Sequence, residues 1–116
     1  MTYHKITLIG HAGSDPEHEV TATGKNVAVF PLYVNVRYGE KERNIRYKVK
    51  AWNDLSITVK KHLLKGQLLL VEGAPSLDVW QSAGGEPRAQ LVVTAQMLRF
   101  LGAKPSTIEE VSEEDF

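Results

Sequence analysis

The order of its hydrophobic periods constrains the fold of this chain more than any other feature. Five segments predict β-strands: apolar and polar residues alternate in most of them, and 68–73 is a short apolar run typical of a buried strand. The predicted strands are 3–10, 27–38, 45–52, 68–80 and 89–100, and Pro75 allows a bend in the fourth. Between the third and the fourth, apolar residues over 55–63 recur at three- and four-residue spacings, so one α-helix is expected there. Asn53 or Asp54 can cap its start, and Gly66 provides a left-handed residue at its end.

The second predicted strand has a clear core face and one irregular position. Its core-facing residues are Phe30, Leu32, Val34 and Val36. Pro31 falls on the opposite face and has no N–H to donate, which predicts a β-bulge or an unpaired edge there. Residues 39–44 are predicted to form a charged hairpin loop after this strand, and a short additional strand at 19–21 is left open before it.

Closure into a barrel suits five strands in a chain of 116 residues, because open sheet edges invite pairing with other chains. The all-β architecture of this size is the OB-fold, a five-stranded Greek-key barrel, here with one α-helix between strands 3 and 4. We assign residues 1–102 to this single domain. Apolar periodicity stops after Gly102, so residues 103–116 are predicted to be a disordered acidic tail.

Composition excludes several classes of function. The chain has no cysteine, and therefore no disulfide, thiolate metal site or cysteine nucleophile. His4, His11 and His18 recur at an odd spacing, which alternates between the faces of a strand, so no metal site is predicted. No catalytic residue and no cofactor site are predicted either. No apolar run approaches the ~18 residues of a membrane helix and no signal peptide is recognisable, so a cytoplasmic protein without membrane contact is expected.

Charge is divided unevenly along the chain, although the formal net charge is zero. Residues 103–116 contain five acidic residues and one basic residue, a net charge of −4. Residues 1–102 contain 13 basic and 9 acidic residues, a net charge of +4. A basic body favours a polyanionic partner, and the acidic tail is not expected to pack against it.

The third predicted strand carries the strongest functional signal. Ile45, Tyr47, Val49 and Ala51 alternate with a second set, Arg46, Lys48, Lys50 and Trp52. The first set is a core face, and the second places three cations and an indole in one row. Cations neutralise phosphates, and an aromatic ring stacks on an unpaired base, so the row fits single-stranded nucleic acid. A solvated outer strand with an isolated Trp is the alternative.

More candidate binding residues lie near the ends of other predicted strands. In OB-folds the oligonucleotide groove is formed by the face of strands 2 and 3 and by the loops after strands 1 and 4. The candidates in those places are Tyr38, Arg37, Arg43, Lys25, Trp80 and Arg88. Trp80 alternatively belongs to the core or to a subunit contact.

An ordered set of short motifs spans residues 3–102. The motifs are Ile-Thr-Leu-Ile-Gly at 6–10, Asp-Pro-Glu at 15–17, Gly24 before 27–30, Tyr-Lys-Val-Lys-Ala-Trp at 47–52, Leu-Leu-Lys-Gly at 63–66, Leu-Val-Glu-Gly at 70–73, and Trp80 before Gly84 and Gly85. In this order and spacing the chain resembles the bacterial-type single-stranded DNA-binding protein family.

The resemblance implies a function, an assembly and a cellular place. It implies an OB-fold homotetramer that wraps single-stranded DNA without sequence preference and stacks bases on Tyr38, Trp52 and Trp80. It implies roles in DNA replication, recombination and repair, at the bacterial nucleoid and the replication fork. It also implies that the acidic tip of the tail recruits replication and repair proteins; the residues are Glu113, Glu114, Asp115 and Phe116.

Three positions depart from the family pattern. Arg46 stands where a further stacking aromatic is frequent, and Asp115 stands where proline is usual in the tail. Tyr47 stands where histidine often occupies the subunit contact, so a dimer is an alternative to the tetramer. Alternative functions are a primosomal-type OB-fold adaptor, which is dimeric, and a protein-interaction barrel that binds no nucleic acid. The tail is alternatively an ordinary solubilising segment.

Overall fold

A computed structural model describes residues 2–102. Its elements are β1 (Ile6–Ala12), β2 (Glu17–Val20), β3 (Asn26–Tyr38), β4 (Lys41–Trp52), α1 (Asp54–His62), β5 (Leu68–Gln81) and β6 (Pro87–Leu101). The predicted order of strands and helix is confirmed, and the short extra strand lies at Glu17–Val20 rather than at 19–21. The predicted tail, residues 103–116, lies outside the described residues.

All strands belong to one curled sheet in the order β1-β5-β6-β4-β3-β2, and β1 also pairs with β3. The pairing between β4 and β6 is parallel, and the other pairings are antiparallel. Because β1 bonds to β5 on one side and to β3 on the other, the sheet closes on itself as a barrel. The short β2 pairs with β3 and is not part of the closed ring of strands.

Alternating residues of the strands fill the barrel. Fully buried core side chains include Phe30, Leu32, Val49, Val71 and Val93. On the predicted core face of β3, burial is complete at Phe30 and Leu32 and partial at Val34 and Val36, since β3 runs past the end of the barrel. Val59 of α1 is also fully buried and packs with this core. The helix therefore covers one end of the barrel, as its apolar spacing predicts.

Pro31 causes no bulge in the pairing of β3 with β4, where it lies opposite Lys48 in a continuous register. The carbonyl of Pro31 instead accepts a hydrogen bond from the N–H of Gly13, 2.9 Å away. A strand residue directs its N and its C=O to the same edge, so the missing donor of Pro31 also faces away from β4. On that edge the partner of β3 changes from β2 at Val29 to β1 at Leu32. Of the two alternatives predicted for Pro31, the bulge is wrong. The structure instead places Pro31 where its edge of β3 needs no N–H donor.

The start of α1 lies where the sequence predicts, but by a different mechanism. Asn53 precedes the helix with φ 54°, and its side chain makes no capping hydrogen bond. Its carbonyl accepts a hydrogen bond from the Ser56 hydroxyl at 2.6 Å and from the Ser56 N–H at 3.0 Å. The helix ends at His62, before Gly66, which has φ 90° in the following turn and donates its N–H to the Ala12 carbonyl.

The β5–β6 hairpin is longer than the barrel. Its pairing continues to Gln81 opposite Pro87, past Pro75, where the sequence allowed a bend. The irregularity lies instead between Glu72 and Gly73, where the register shifts by one residue. The extra residue is Gln96 of β6, so β6 bends at the point where the hairpin leaves the barrel.

Candidate nucleic-acid interface

The row of cations on β4 lies on the outer face of the barrel. Val49 and Ala51 are fully buried, whereas Lys48, Lys50 and Trp52 alternate with them and are half-buried. Arg46 is exposed, and none of these four outer side chains joins the core cluster. The two faces that the alternation predicts for β4 are therefore confirmed.

No carboxylate within residues 2–102 forms an ion pair with Arg46, Lys48 or Lys50. The ion pairs of this part of the chain join Lys5 to Glu72 at 3.2 Å, Arg37 to Glu42 at 3.3 Å and Arg88 to Glu86 at 3.1 Å. Three like charges in a row without internal partners keep a positive potential on this face. Two other predicted binding residues, Arg37 and Arg88, have a carboxylate partner on their own strand or hairpin.

The register of the β3–β4 ribbon adds a residue that the sequence analysis missed. Lys50 lies opposite Val29, Lys48 opposite Pro31 and Arg46 opposite Tyr33. Directly paired residues share a face of the sheet, so the Tyr33 ring stands beside Arg46 on the outer face. The Tyr33 side chain is 39% exposed. Tyr33 thus gives this face an aromatic next to the position where Arg46 departs from the family pattern.

The missed residue traces to the hairpin loop, which is shorter than predicted. Pairing continues to Tyr38 opposite Lys41, so the turn is only Gly39 and Glu40, with φ 62° at Gly39. Residues 41–44 therefore belong to β4. They can all be polar or charged because the ribbon extends past the core there and both of its faces are exposed. The predicted loop over 39–44 leaves the register of β3 on β4 undefined. Without that register, the residue opposite Arg46 cannot be predicted.

A cleft at the end of β4 brings together two of the predicted residues. Lys25, in the turn before β3, and Trp52 line a cavity of about 360 Å³. Its other lining residues are Thr21, Thr23 and Asn53. The N–H of Asn53 donates to the Asn26 carbonyl at 3.0 Å, which holds the two chain segments together. The cleft presents a cation beside an indole, as stacking with phosphate contact requires.

A second cavity, of about 260 Å³, opens beside the middle of the cation row. Arg46 and Lys48 line one side of it. Its remaining lining residues are Ser14, Glu17, Val29, Phe30, Pro31 and Gln90. The cavity therefore has an apolar floor and a rim that carries both signs of charge.

Trp80 and Arg88 lie directly opposite each other near the tip of the β5–β6 hairpin. The Trp80 side chain is 46% exposed and is absent from the core cluster, which excludes the core alternative. By alternation along β6, Arg88 shares its face with Gln90, which lines the cavity beside Arg46. The hairpin thus continues the outer face of the cation row.

Tyr38 and Arg43 lie on the other face of the β3–β4 ribbon. Tyr38 pairs with Lys41 and Arg43 with Val36, in phase with the core-facing residues. Because the ribbon has left the barrel at this point, both side chains are exposed, Tyr38 by 62%. Reaching them from the cation row requires passing around the ribbon's tip.

Residues 2–102 contain neither a metal-ligand cluster nor a membrane-spanning helix. No three His, Cys, Asp or Glu side chains there lie close enough to share a metal ion, so His4, His11 and His18 do not converge on one. No helix in the described part of the chain is long and apolar enough to cross a lipid bilayer.

Comparison with known proteins agrees with this geometry. A family model described as the Single-strand binding protein family matches residues 3–101. A single-stranded DNA-binding protein of Thermotoga maritima is 32% identical over 97% of this chain and 84% of its own length. One of Chlamydia caviae is 32% identical over 80% of this chain, which spans only 58% of that relative's length.

A solved structure shares the fold. The chain superposes on Plasmodium falciparum SSB, solved in complex with ssDNA, with a TM-score of 0.72 at 24% identity. The match covers 88% of this chain and 97% of that one. The predicted OB-fold is confirmed by this likeness together with the closed sheet and the helix between its strands.

Proposed function

This chain belongs to the single-strand binding protein family, and we propose that it binds single-stranded DNA without requiring a particular sequence. The observation that carries the proposal is the outer row of Arg46, Lys48 and Lys50, free of ion pairs within residues 2–102 and flanked by accessible aromatic rings. The row supplies charge for phosphates, and Trp52 and Trp80 supply faces for bases. A duplex hides the faces of its bases, so the combination favours a single strand.

The path of the strand follows from the placement of these residues. It runs from the cleft of Lys25 and Trp52, along the cation row, to Trp80 and Arg88 on the β5–β6 hairpin. Arg37, Arg43 and Tyr38 contact it where it passes around the tip of the β3–β4 ribbon. Arg37 and Arg88 exchange their carboxylate partners for phosphate at small cost, because exposed ion pairs contribute only about 0–1 kcal/mol.

The assembly and the partners are inferred from the family. We propose a homotetramer that acts on single-stranded DNA in replication, recombination and repair, in the bacterial cytoplasm at the nucleoid and the replication fork. Residues 113–116, which include the terminal Phe116, recruit replication and repair proteins. Carboxylates followed by an aromatic suit an apolar pocket with a basic rim on a partner. The protein is not an enzyme in this proposal.

Tryptophan fluorescence tests the binding directly, because Trp52 and Trp80 are the only two tryptophans. Titration with an oligo-dT of about 30 nucleotides quenches the emission at low salt if bases stack on the indoles. Trp52→Phe and Trp80→Phe each leave one reporter, so each site is read alone. Trp52→Ala and Trp80→Ala each weaken binding by about 1–3 kcal/mol. Unchanged emission and no complex at low salt would falsify the proposal.

Assembly and recruitment need separate measurements. Native mass spectrometry with and without oligo-dT distinguishes four chains from two and counts bound strands in the same spectrum. A chain truncated after residue 102 should keep DNA binding and lose the capture of replication and repair proteins that the full chain achieves. Capture that survives truncation would return the tail to a solubilising role.

A further inference from the structure

The cavity beside the cation row contains a charge that phosphate binding does not explain. Glu17 lines this cavity together with Arg46, and the two side chains form no ion pair with each other. A carboxylate on the rim repels a phosphate. Lys48 also lines the cavity, so two cations and one carboxylate face it, and the carboxylate is an acceptor that a phosphate cannot use.

The position of Glu17 follows from the sheet register. Glu17 on β2 lies opposite Val29 on β3, and Val29 lies opposite Lys50 on β4, so the three share the outer face. Arg46 stands four residues further along the ribbon, opposite Tyr33. The carboxylate and the guanidinium thus approach the cavity from opposite ends, over the apolar floor of Val29 and Pro31.

This arrangement matches one nucleobase edge for edge. Guanine carries acceptors O6 and N7 on one side, which arginine binds in a bidentate manner. The adjacent Watson–Crick edge of guanine carries the N1–H and N2–H₂ donors, from which a carboxylate accepts hydrogen bonds. Unpaired bases offer both edges to a protein. The cavity volume of about 260 Å³ is several times the roughly 30 Å³ of a water molecule, so the cavity has room for a group larger than a water or an ion.

We propose that the groove of Glu17, Arg46 and Gln90, called here the Glu17 groove, is a base-reading subsite that favours guanine. Arg46 donates to O6 and N7, Glu17 accepts from N1 and N2, and Gln90 lies beside Arg46 to supplement either contact. The inference rests on the proposed function and adds a base preference to a binding mode that otherwise ignores sequence. Adenine has no N1–H to donate to Glu17, and its amino group stands where guanine has the O6 acceptor for Arg46. Both contacts are therefore weaker with adenine.

The test compares guanine with adenine, because both are purines and unstacking either from the unbound strand costs a similar free energy. Three oligonucleotides of equal length consist of thymines with isolated guanines, adenines or cytosines at regular spacing; oligo-dT is the fourth. The wild-type chain should bind the guanine strand about fivefold or more tighter than the adenine strand, at the low end of one bidentate contact. Glu17→Ala should lower this ratio without abolishing it, because Arg46 keeps its contact to O6 and N7, and should leave affinity for oligo-dT unchanged or slightly tighter.

Glu19→Ala is the matched control. Glu19 lies on the same strand and the same face as Glu17, opposite Val27, but does not line the groove. The Glu19→Ala substitution removes the same charge as Glu17→Ala and should keep the guanine-to-adenine affinity ratio of the wild type. Equal binding of the guanine and adenine strands by the wild type, or tighter binding of the cytosine strand than of the guanine strand, overturns the Glu17 groove alone. Failure to bind any of the four strands overturns the proposed function instead.

Discussion

Arg46 and Tyr33 lie directly opposite each other on β4 and β3, on the face of the sheet turned away from the core. The Tyr33 ring also covers Gly13, where a Cβ atom would overlap its Cε2. Gly13 therefore allows the ring to lie close against the neighbouring loop. A guanidinium beside an aromatic ring that is 39% exposed offers a stacking platform for one base.

Replacing Tyr33 should weaken DNA binding. Tyr33→Ala removes one stacking face and should cost about 1–3 kcal/mol of binding free energy, whereas Tyr33→Phe should keep it. Tyr3→Ala is the control, because Tyr3 is 77% exposed, precedes β1 and lines neither of the two cavities. Fluorescence titration with oligo-dT measures all three. Equal affinities for Tyr33→Ala and Tyr3→Ala would show that the Tyr33 ring serves packing only.

Lys48→Ala should change the salt dependence of binding rather than its base preference. Each phosphate neutralised on a single strand contributes about 0.7 to the slope of log affinity against log salt. Lys48 lies in the middle of the row, so its loss should reduce the magnitude of the slope by about this amount. Lys60→Ala, on the exposed side of α1, should leave the slope unchanged. Parallel salt titrations of the two variants give the comparison.

Gly73→Ala should destabilise the barrel, because a Cβ there would overlap the Thr94 carbonyl oxygen and lie 3.0 Å from the Ala95 Cα. These are backbone atoms of β6 at the bulge, so they cannot rotate away. Forcing an extra methyl into such a place costs about 1–3 kcal/mol or more. Gly84→Ala is the control, since nothing lies within 4 Å of its added Cβ. Urea unfolding measures both, and equal midpoints would contradict the close approach of the two strands.

The Glu72 carboxylate should make stability sensitive to acid. A hydrogen bond from the Thr7 hydroxyl at 2.7 Å, and then one from the Lys5 ammonium, hold the pKa of Glu72 below its ordinary value of 4.5. A lowered folded-state pKa gives stability that is present above pH 4.5 and is lost as the pH falls through the folded-state value.

Melting curves across this acid range check the contribution of Glu72. The melting temperature of the wild type should fall more steeply below about pH 4.5 than that of Glu72→Gln, which cannot titrate. Thr7→Val and Lys5→Met should each reduce the difference, because the Thr7 hydroxyl and the Lys5 ammonium both stabilise the ionised Glu72 carboxylate. Identical slopes for wild type and Glu72→Gln would refute the link.

Much of the candidate site was predictable because it lies within one strand. The alternation of Val49 and Ala51 with Lys48, Lys50 and Trp52 assigns the two faces of β4 without knowledge of any partner strand. Charge and aromatic content then point to nucleic acid. Whether the predicted residues contact DNA remains a prediction that the variants above test.

The residues that the sequence analysis missed depend on contacts between strands. Tyr33 becomes a neighbour of Arg46 only when the turn is limited to Gly39 and Glu40, which sets the register of β3 on β4. Glu17 joins the same face because β2 pairs with β3 at Val29. No local pattern specifies either pairing, and a shift of one residue would turn each side chain to the other face.

Local periodicity thus decided which residues are strand, helix and core, because burying one face of each element requires an apolar residue at every second or every third to fourth position. Closure of the sheet decided the rest: where Pro31 could lose its donor harmlessly, where β6 had to bulge, and which polar groups meet at the outer face. These outcomes depend on hydrogen-bond register and on distances between segments far apart in the chain, and only the folded barrel determines them.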